Sequence, residues 1–450
     1  MRQTSRRDFL GEVSGASAFA SWASMFGPKK AAPSQNSTGR PKFGPPQLST
    51  LRAEFPLLSK QINGQPLAYL DSAATTQRPR AVIDAIANFY VQDNANPAPS
   101  LHALARRSAA VYEEARARIA RFLNANGPEE IVWTRGTTEA LNLVASSWGG
   151  ANLQPGDEVL LTVSEHYSNL VPWQLAARRA NAHVRVLDVE DDGRLRLDQL
   201  DSLLSKRTKV VTLPHVSNVL GSINPVREIC ERAHRFRAVV LVDGAQSIPH
   251  FPVDVHALDC DFIAFSGHKI LGPMGVGVLW ARREILENMR PYQAGSNMAH
   301  DVDIDSVPSN FAVGGLKFEA GTPNVPGAVG LAAAIEFLES FGRERLWSRE
   351  QELTRYALSE FAKVKDLRIL GSINPENRIS VFSFVMSKKQ PLDVAKTLDA
   401  VGIAIRAGDL ASRPLLKRMG VPAAVRASCY AYTTGEEIDR LVAALRQLSP

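Results

Sequence analysis

The sequence predicts an α/β protein that contains a large, mostly parallel sheet of seven strands with helices on both faces. Short runs rich in β-branched residues recur between residues 131 and 280, and helix-like stretches separate most of them. At 450 residues the chain exceeds one ordinary hydrophobic core, which favours two domains. After Pro323 long helical segments precede a few strands, a pattern typical of a smaller α+β domain.

The predicted elements follow the chain in order. Helices are expected at 115–123 and 171–180, between strands of the large sheet, and later at 328–341, 349–364 and 436–448. Two strands of the smaller domain are expected at 379–385 and 403–406. The seven strands of the large sheet are predicted at 131–134, 158–163, 184–189, 210–213, 238–242, 262–265 and 276–280.

The N-terminal segment resembles a twin-arginine (Tat) export signal. The motif Ser5-Arg6-Arg7-Asp8-Phe9-Leu10 precedes a modestly apolar stretch at 13–26 that is rich in Ala, Ser and Gly. We therefore predict a signal peptide at 1–30, a flexible Pro- and Ser-rich linker at 31–48, and a periplasmic protein that the Tat translocase exports already folded. The large domain is predicted at 49–320, with 49–65 packing on the small domain at 321–450.

Charge and cysteine content narrow the function classes. The net charge is +6, but residues 1–48 hold seven basic and two acidic residues and so account for +5 of it. The rest of the chain offers no strongly basic face, and nucleic acid is not an expected partner. Cys230, Cys260 and Cys429 have no metal-binding spacing, so they are predicted as buried core residues and no metal is expected.

Polar residues follow several predicted strands at their C-terminal ends. His166, Asp243 and Lys269 come shortly after the strands at 158–163, 238–242 and 262–265. Ligands of open α/β sheets collect at this edge. A buried Asp at a strand end is more often structural, and a turn such as Gly136-Thr137-Thr138 is more often an ordinary helix start. The recurrence of such residues at successive strands nevertheless favours one shared site.

Nine short motifs are distributed from about residue 50 to the C-terminus. They are Tyr69-Leu70-Asp71-Ser72-Ala73-Ala74, Thr134-Arg135-Gly136-Thr137-Thr138-Glu139, Glu165-His166, Asn169-Leu170-Val171-Pro172-Trp173-Gln174, Ser217-Asn218-Val219-Leu220-Gly221, Asp243-Gly244-Ala245-Gln246, Ser266-Gly267-His268-Lys269, Phe318-Glu319-Ala320-Gly321-Thr322-Pro323 and Arg426-Ala427-Ser428. In sequence and in order these motifs resemble the class V aminotransferases of pyridoxal 5'-phosphate (PLP) fold type I, and the cysteine desulfurase branch in particular.

The resemblance implies PLP as the cofactor and assigns three catalytic residues. Lys269 is expected to bind PLP as a Schiff base, and His166 is expected to stack on the pyridine ring. Asp243 is expected to keep the ring nitrogen protonated, which makes the cofactor an electron sink.

The resemblance also implies the residues that hold cofactor and substrate. Thr322 is expected to reach the phosphate of a partner subunit, which implies a homodimer with shared sites. Arg426 is expected to clamp the carboxylate of a small amino substrate, with Ala74 and Arg406 nearby. The remaining cofactor-binding residues are predicted to be Gly136, Thr137, Thr138, Ser266 and His268 around the phosphate, and Asn218 and Gln246 near the ring hydroxyl.

Two departures from the desulfurase pattern bear on the reaction. Desulfurases of this branch have a mobile loop with the sequence Arg-Thr-Gly-His-His-Cys, whereas this chain has Ala411 at the cysteine position and Asp409-Leu410 at the histidine positions. A methyl group cannot replace a thiolate nucleophile. A His-Arg pair of the family's substrate entrance is replaced by Ala98-Pro99.

The predicted function is therefore a periplasmic PLP enzyme that acts on an amino acid or an amino-bearing metabolite without persulfide transfer. Within this class the chain resembles an exported enzyme that modifies the side chain of the siderophore pyoverdine. A C–S or C–Se lyase, or a residual desulfurase-like activity, is the alternative. A PLP-fold scaffold without activity is a third interpretation, which the complete set of cofactor residues disfavours.

Overall fold

The computed structural model describes residues 48–98, 101–308 and 310–448. The predicted signal peptide at 1–30 and residues 31–47 of the predicted linker lie outside the described residues. The described strands, in chain order, are β1 Gln61–Ile62, β2 Gln65–Pro66, β3 Ala68–Tyr69, β4 Ile131–Thr134, β5 Glu158–Thr162, β6 His183–Leu187, β7 Thr208–Pro214, β8 Val239–Asp243, β9 Phe262–Ser266, β10 Gly277–Ala281, β11 Ala299–His300, β12 Asn310–Phe311, β13 Leu367–Ile369, β14 Val381–Met386, β15 Ile403–Ala404, β16 Arg406–Gly408 and β17 Ala424–Ser428.

A seven-stranded sheet forms the centre of the fold, in the order β4-β10-β9-β8-β7-β5-β6. The pairs β9–β8, β8–β7, β7–β5 and β5–β6 are parallel, while β10 is antiparallel to both β9 and β4. Every residue of β4, β5, β9 and β10 is buried, as expected for a sheet covered on both faces. The predicted α/β class and mostly parallel seven-stranded sheet are confirmed.

Helices cover this sheet, and several begin earlier than the sequence pattern suggested. The helix predicted at 115–123 begins at Ala103, and the helix predicted at 349–364 begins at Arg343. Their first turns expose charged side chains, which weakens the apolar pattern. The described α-helices are Arg80–Gln92, Ala103–Phe122, Thr137–Leu143, Gly149–Asn152, Tyr167–Ala180, Leu197–Leu203, Val226–His234, Val255–Leu258, Arg283–Asn288, Val325–Phe341, Arg343–Phe361, Pro391–Ala400, Arg413–Arg418 and Gly435–Leu448.

A second, four-stranded antiparallel sheet has the order β13-β14-β17-β16. Its apolar core includes residues of the helices Arg343–Phe361 and Gly435–Leu448. The strand predicted at 403–406 is divided: β15 pairs in parallel with β3, and β16 joins the four-stranded sheet. The chain therefore changes sheets at Ile405, which places Arg406 beside Arg426 of β17.

The antiparallel pairing of β11 with β12 was not anticipated from the sequence pattern. Within the described ranges no single helix is long and apolar enough to cross a membrane, and Val325–Phe341 with Arg343–Phe361 meets that criterion only as a pair bent by 77°.

A buried ion pair ties helix Ala103–Phe122 to the segment before helix Val325–Phe341. Arg116 donates to both carboxylate oxygens of Glu319, over 2.6 and 2.8 Å, and is only 2% exposed. Glu319 also accepts hydrogen bonds from the Tyr112 hydroxyl and from the backbone N–H of Trp133, each near 2.9 Å. Loss of the arginine would leave a buried carboxylate without its counter-charge.

We expect Arg116→Met to lower the free energy of unfolding by about 3–5 kcal/mol, because it leaves Glu319 buried and uncompensated. Urea-induced unfolding followed by circular dichroism measures the loss. Arg118→Met is the matched control, since Arg118 pairs with Glu339 at 3.4 Å on the surface. Its cost should stay below about 1 kcal/mol, and equal losses for both variants would contradict the prediction.

Candidate active site

A cavity of about 510 Å³ opens at the C-terminal ends of the central strands. Strands β7, β8 and β9 each contribute their last residue, Pro214, Asp243 and Ser266, to its wall. The predicted site residues that line it are Ala74, Thr137, Thr138, His166, Asn218, Asp243, Gln246, Ser266, His268, Lys269, Arg406 and Arg426. The structure therefore gathers twelve predicted residues, spread over more than 350 positions, at one edge of the sheet.

Lys269 and Asp243 form the electrostatic centre of the cavity. Asp243 ends β8 and accepts a hydrogen bond from the Ala245 N–H at 2.9 Å, while Lys269 follows β9. Burial lowers the pKa of Lys269 to about 8, and the attraction of Asp243 opposes that shift. Burial also raises the pKa of Asp243, and the charge of Lys269 opposes that shift in turn. The lysine amine therefore loses its proton near pH 8, well below the pH at which an ordinary lysine becomes a nucleophile.

His166 lies at the start of helix Tyr167–Ala180, where its Nδ1 accepts the Ser168 N–H at 3.1 Å. That bond leaves the ring proton on Nε2. Burial lowers the pKa of His166 to about 4, with further contributions from the charges of Lys269 and Arg426. The side chain is therefore a neutral ring at pH 7, suited to stacking rather than to charge pairing.

A ring of hydroxyl groups lies where the phosphate-binding residues were predicted. Ser266 Oγ accepts the Thr137 N–H at 2.8 Å and contacts Thr137 Oγ1 at the same distance. Thr138 Oγ1 lies 2.8 Å from Ser168 Oγ. The glycine before them, Gly136, has φ +156°, and a Cβ atom on it would lie 3.2 Å from Ser266 Oγ. Gly136, which was predicted to bind the cofactor, therefore packs closely against Ser266 in the cavity wall.

Two arginines share one carboxylate at the side of the cavity. Arg406 donates to both oxygens of Asp71, the shortest distance being 2.7 Å, and Arg426 Nη2 reaches Asp71 Oδ1 at 3.4 Å. Arg426 is 3% exposed, its Nη1 donates to the Asn218 carbonyl, and its buried Nε has no partner. Burial lowers the pKa of Arg426 to about 10. Asp71 is a functional residue that the sequence prediction missed, although it lies in a motif that was recognised.

Residues 408–412 form a wall of the cavity that packs against two other elements. The Asn218 side chain donates to the Leu410 carbonyl at 2.9 Å and accepts the Ser412 hydroxyl at 3.1 Å. Its amide, predicted to lie near the ring hydroxyl of the cofactor, is thus bonded to the loop. Tyr167 donates its N–H to the Ala411 carbonyl and its hydroxyl to Asp409, both at 2.8 Å.

The described residues that line this cavity include no cysteine. Cys230, Cys260 and Cys429 are buried elsewhere, as predicted, and burial raises the pKa of each thiol. A raised pKa keeps a thiol protonated and unreactive. In the part of the chain that the structure describes, no group of three His, Cys, Asp or Glu residues could hold a metal ion.

Thr322 lies outside this cavity. It lines a second cavity of about 290 Å³, where its hydroxyl accepts a hydrogen bond from Asn96 at 3.3 Å. Its predicted contact with a partner subunit stays a prediction. Pro99, at the changed substrate entrance, falls outside the described residues.

The family model for aminotransferase class V matches residues 68–441. The chain belongs to this family. A cysteine desulfurase of Cronobacter sakazakii is 46% identical over 398 residues, which cover 88% of this chain and 97% of that relative. The family resemblance of the nine motifs is confirmed, and the chain is a PLP-dependent enzyme.

Solved structures give the same fold. The cysteine desulfurase CsdA of Escherichia coli is 39% identical, with a TM-score of 0.82 over 89% of this chain and 98% of that one. The cystine C–S lyase C-DES, in complex with its product cysteine persulfide, is 26% identical, with a TM-score of 0.76 over 88% of this chain and 100% of that one. Another C-DES structure, 25% identical with a TM-score of 0.76 over 88% of this chain and 98% of that one, holds glycine covalently linked to the PLP cofactor.

The residues of the cavity fit PLP. Besides the hydroxyl ring, His268 lines the cavity, and its buried Nδ1 has no hydrogen-bond partner. When bound, PLP supplies an aldehyde for an amine and an electron sink for the carbon beside it. Asp243 would hold a proton on the pyridine nitrogen, and Arg426 would bind the substrate carboxylate. Lys269 Nζ, freed from its proton near pH 8, can take a proton from the substrate Cα.

We expect covalent attachment of PLP to the apo-protein to rise with pH around a midpoint near 8, because only the neutral Lys269 amine attacks an aldehyde. Stopped-flow absorbance at a series of pH values measures that midpoint. In Asp243→Asn the carboxylate that raises the pKa of Lys269 is gone, so the midpoint should move to lower pH. A midpoint that stays in place in this variant would show that Asp243 does not set the amine's charge.

Proposed function

We propose that the chain is a PLP-dependent enzyme that acts on an amino acid with a free α-carboxylate, and that no protein thiol accepts sulfur during its reaction. The observation that carries this proposal is the composition of the cavity. It combines the amine of Lys269, the carboxylate of Asp243 and the guanidinium of Arg426 without a cysteine among its described residues. A desulfurase that forms a persulfide on its own side chain needs a cysteine thiolate in the active site.

Among the finer functions, the comparisons favour a C–S or C–Se lyase over modification of a siderophore. Relatives at about 45% identity are named cysteine desulfurases, and C-DES is named a cystine C–S lyase. In such an elimination the Cα–H bond breaks and its proton passes to Lys269 Nζ. The electron pair forms a Cα=Cβ bond, and the Cβ–S pair leaves with sulfur, which takes up a proton. Hydrolysis of the resulting enamine gives a 2-oxo acid and ammonia, so no protein thiol enters the balance.

A second candidate is a periplasmic enzyme that modifies an amino-bearing metabolite, pyoverdine being the predicted case. The twin-arginine motif and the replacement of the desulfurase Cys and His positions by Ala411 and Asp409 support it. Export by the Tat translocase would deliver the protein folded with PLP bound, because that route accepts folded proteins. A homodimer, with Thr322 of one subunit near the phosphate of the other, belongs to both candidates.

Product analysis decides between the reactions. We expect holoenzyme incubated with cystine, selenocysteine or a cysteine sulfoxide to release pyruvate together with a sulfur or selenium product, and Lys269→Ala to release none. Mass spectrometry and a pyruvate assay measure this. If none of the three substrates yields alanine, pyruvate or a sulfur or selenium product, the lyase is excluded, and comparing extracellular metabolites of cells with and without the gene would test the second candidate.

We expect Ala411→Cys to remain without efficient sulfur transfer from cysteine. The loop that carries residue 411 is bonded to Asn218 and Tyr167, so a thiol there would lack the mobility that transfer needs. Alanine and protein-bound sulfur are measured after incubation with cysteine and a reductant. Conversion of this variant into an active desulfurase would contradict the proposal that the loop has a different role.

A further inference from the structure

The loop at 408–412 is held in place by a buried side chain and by hydrogen bonds to Asn218 and Tyr167. Leu410 is buried, and its carbonyl and the Ser412 hydroxyl both bond to the amide of Asn218. On the other side, the Ala411 carbonyl accepts the Tyr167 N–H at 2.8 Å. Leu410 and Ala411 both have φ near +53°, a conformation that costs energy without glycine and persists when neighbouring contacts impose it. The loop therefore presents its side chains to the cavity in one arrangement.

Asp409 is the residue of this loop that carries a charge into the cavity. Its Oδ2 accepts the Tyr167 hydroxyl at 2.8 Å, and its Oδ1 accepts the Ala411 N–H at 3.1 Å. These bonds, with a smaller contribution from the charge of Arg413, lower the pKa of Asp409, so it is ionised at neutral pH. Arg413 makes no ion pair with it within the described part of the chain, and the carboxylate oxygens keep lone pairs for another donor.

The charged side chains of the cavity would meet the two ends of a bound substrate with opposite charges. Among the described lining residues, Asp243 and Asp409 are the two carboxylates, and Asp243 faces Lys269. Arg426 and Arg406, with Lys269, supply positive charge. Asp409 and His166 line the same cavity, and the negative charge of Asp409 partly opposes the lowering of the His166 pKa. A substrate whose α-carboxylate binds Arg426 would thus extend past the ring toward a fixed negative group.

We propose that Asp409 is a specificity-determining residue that selects amino acids with an amide N–H or ammonium group at the end of the side chain, and rejects those with a second carboxylate. This inference deepens the proposed function and rests on it. The attraction comes from a carboxylate held by Tyr167 and Ala411, and the rejection comes from like-charge repulsion at the same place.

Glutamine and glutamate test this inference, because they have the same shape and differ in one terminal group. The change in cofactor absorbance of the holoenzyme on titration with each amino acid gives a half-saturating concentration without measuring turnover. We expect the half-saturating concentration of glutamine to be about three- to fivefold lower than that of glutamate. A ratio of this size corresponds to the free energy of a partly exposed charge interaction. In Asp409→Asn, which keeps the shape of the side chain, that ratio should fall to about one.

Two further variants make the result specific. Asp409→Glu retains the charge and should retain the preference for glutamine. Asp191→Asn removes a carboxylate whose side chain is 98% exposed and lies outside the cavity, so the preference should be unchanged. Equal half-saturation by the two amino acids in the unaltered protein, or a preference that persists in Asp409→Asn, would overturn the role of Asp409. If no amino acid changes the absorbance of the bound cofactor, the proposed function itself fails.

Discussion

A lysine amine and a buried carboxylate at the ends of two adjacent parallel strands are the interaction on which the rest of this site depends. Strands β8 and β9 run side by side, with Asp243 opposite Ala264, so their C-terminal ends bring Asp243 and Lys269 to the same edge. Burial destabilises both charges and lowers the pKa of the amine to about 8. The attraction between the two groups opposes this shift, so neither charge is buried without a partner. The surrounding polar residues line the same cavity as this pair.

A second carboxylate, that of Asp71, pairs with the two arginines at the side of the cavity. Asp71 lies beside Ser428 at the end of β17 and binds Arg406 of β16 and Arg426 of β17. Without it, two guanidinium groups would face each other across neighbouring strands with no counter-charge. Asp71 thus holds two cations close together and supplies the counter-charge that two neighbouring guanidinium groups need.

The loop at 408–412 is the part of the cavity wall on which the proposed substrate selection depends. Asn218 and Tyr167 bond this loop in place. A fixed loop can present a charged side chain at a constant position, and the proposed role of Asp409 rests on this. The same contacts bond the Asn218 amide to the loop at the wall of the cavity.

The sequence predicted the fold class, the seven strands of the central sheet and PLP as the cofactor, because β-branched periodicity and short motifs are local properties of the chain. It did not determine where helix Ala103–Phe122 begins, since charged side chains in its first turns mask the apolar pattern. The division of the segment at 403–406, the pairing of Asp71 with Arg406 and Arg426, and the position of Asp409 were decided only by the tertiary structure. Each of these depends on residues more than 200 positions apart, and no local pattern records such contacts.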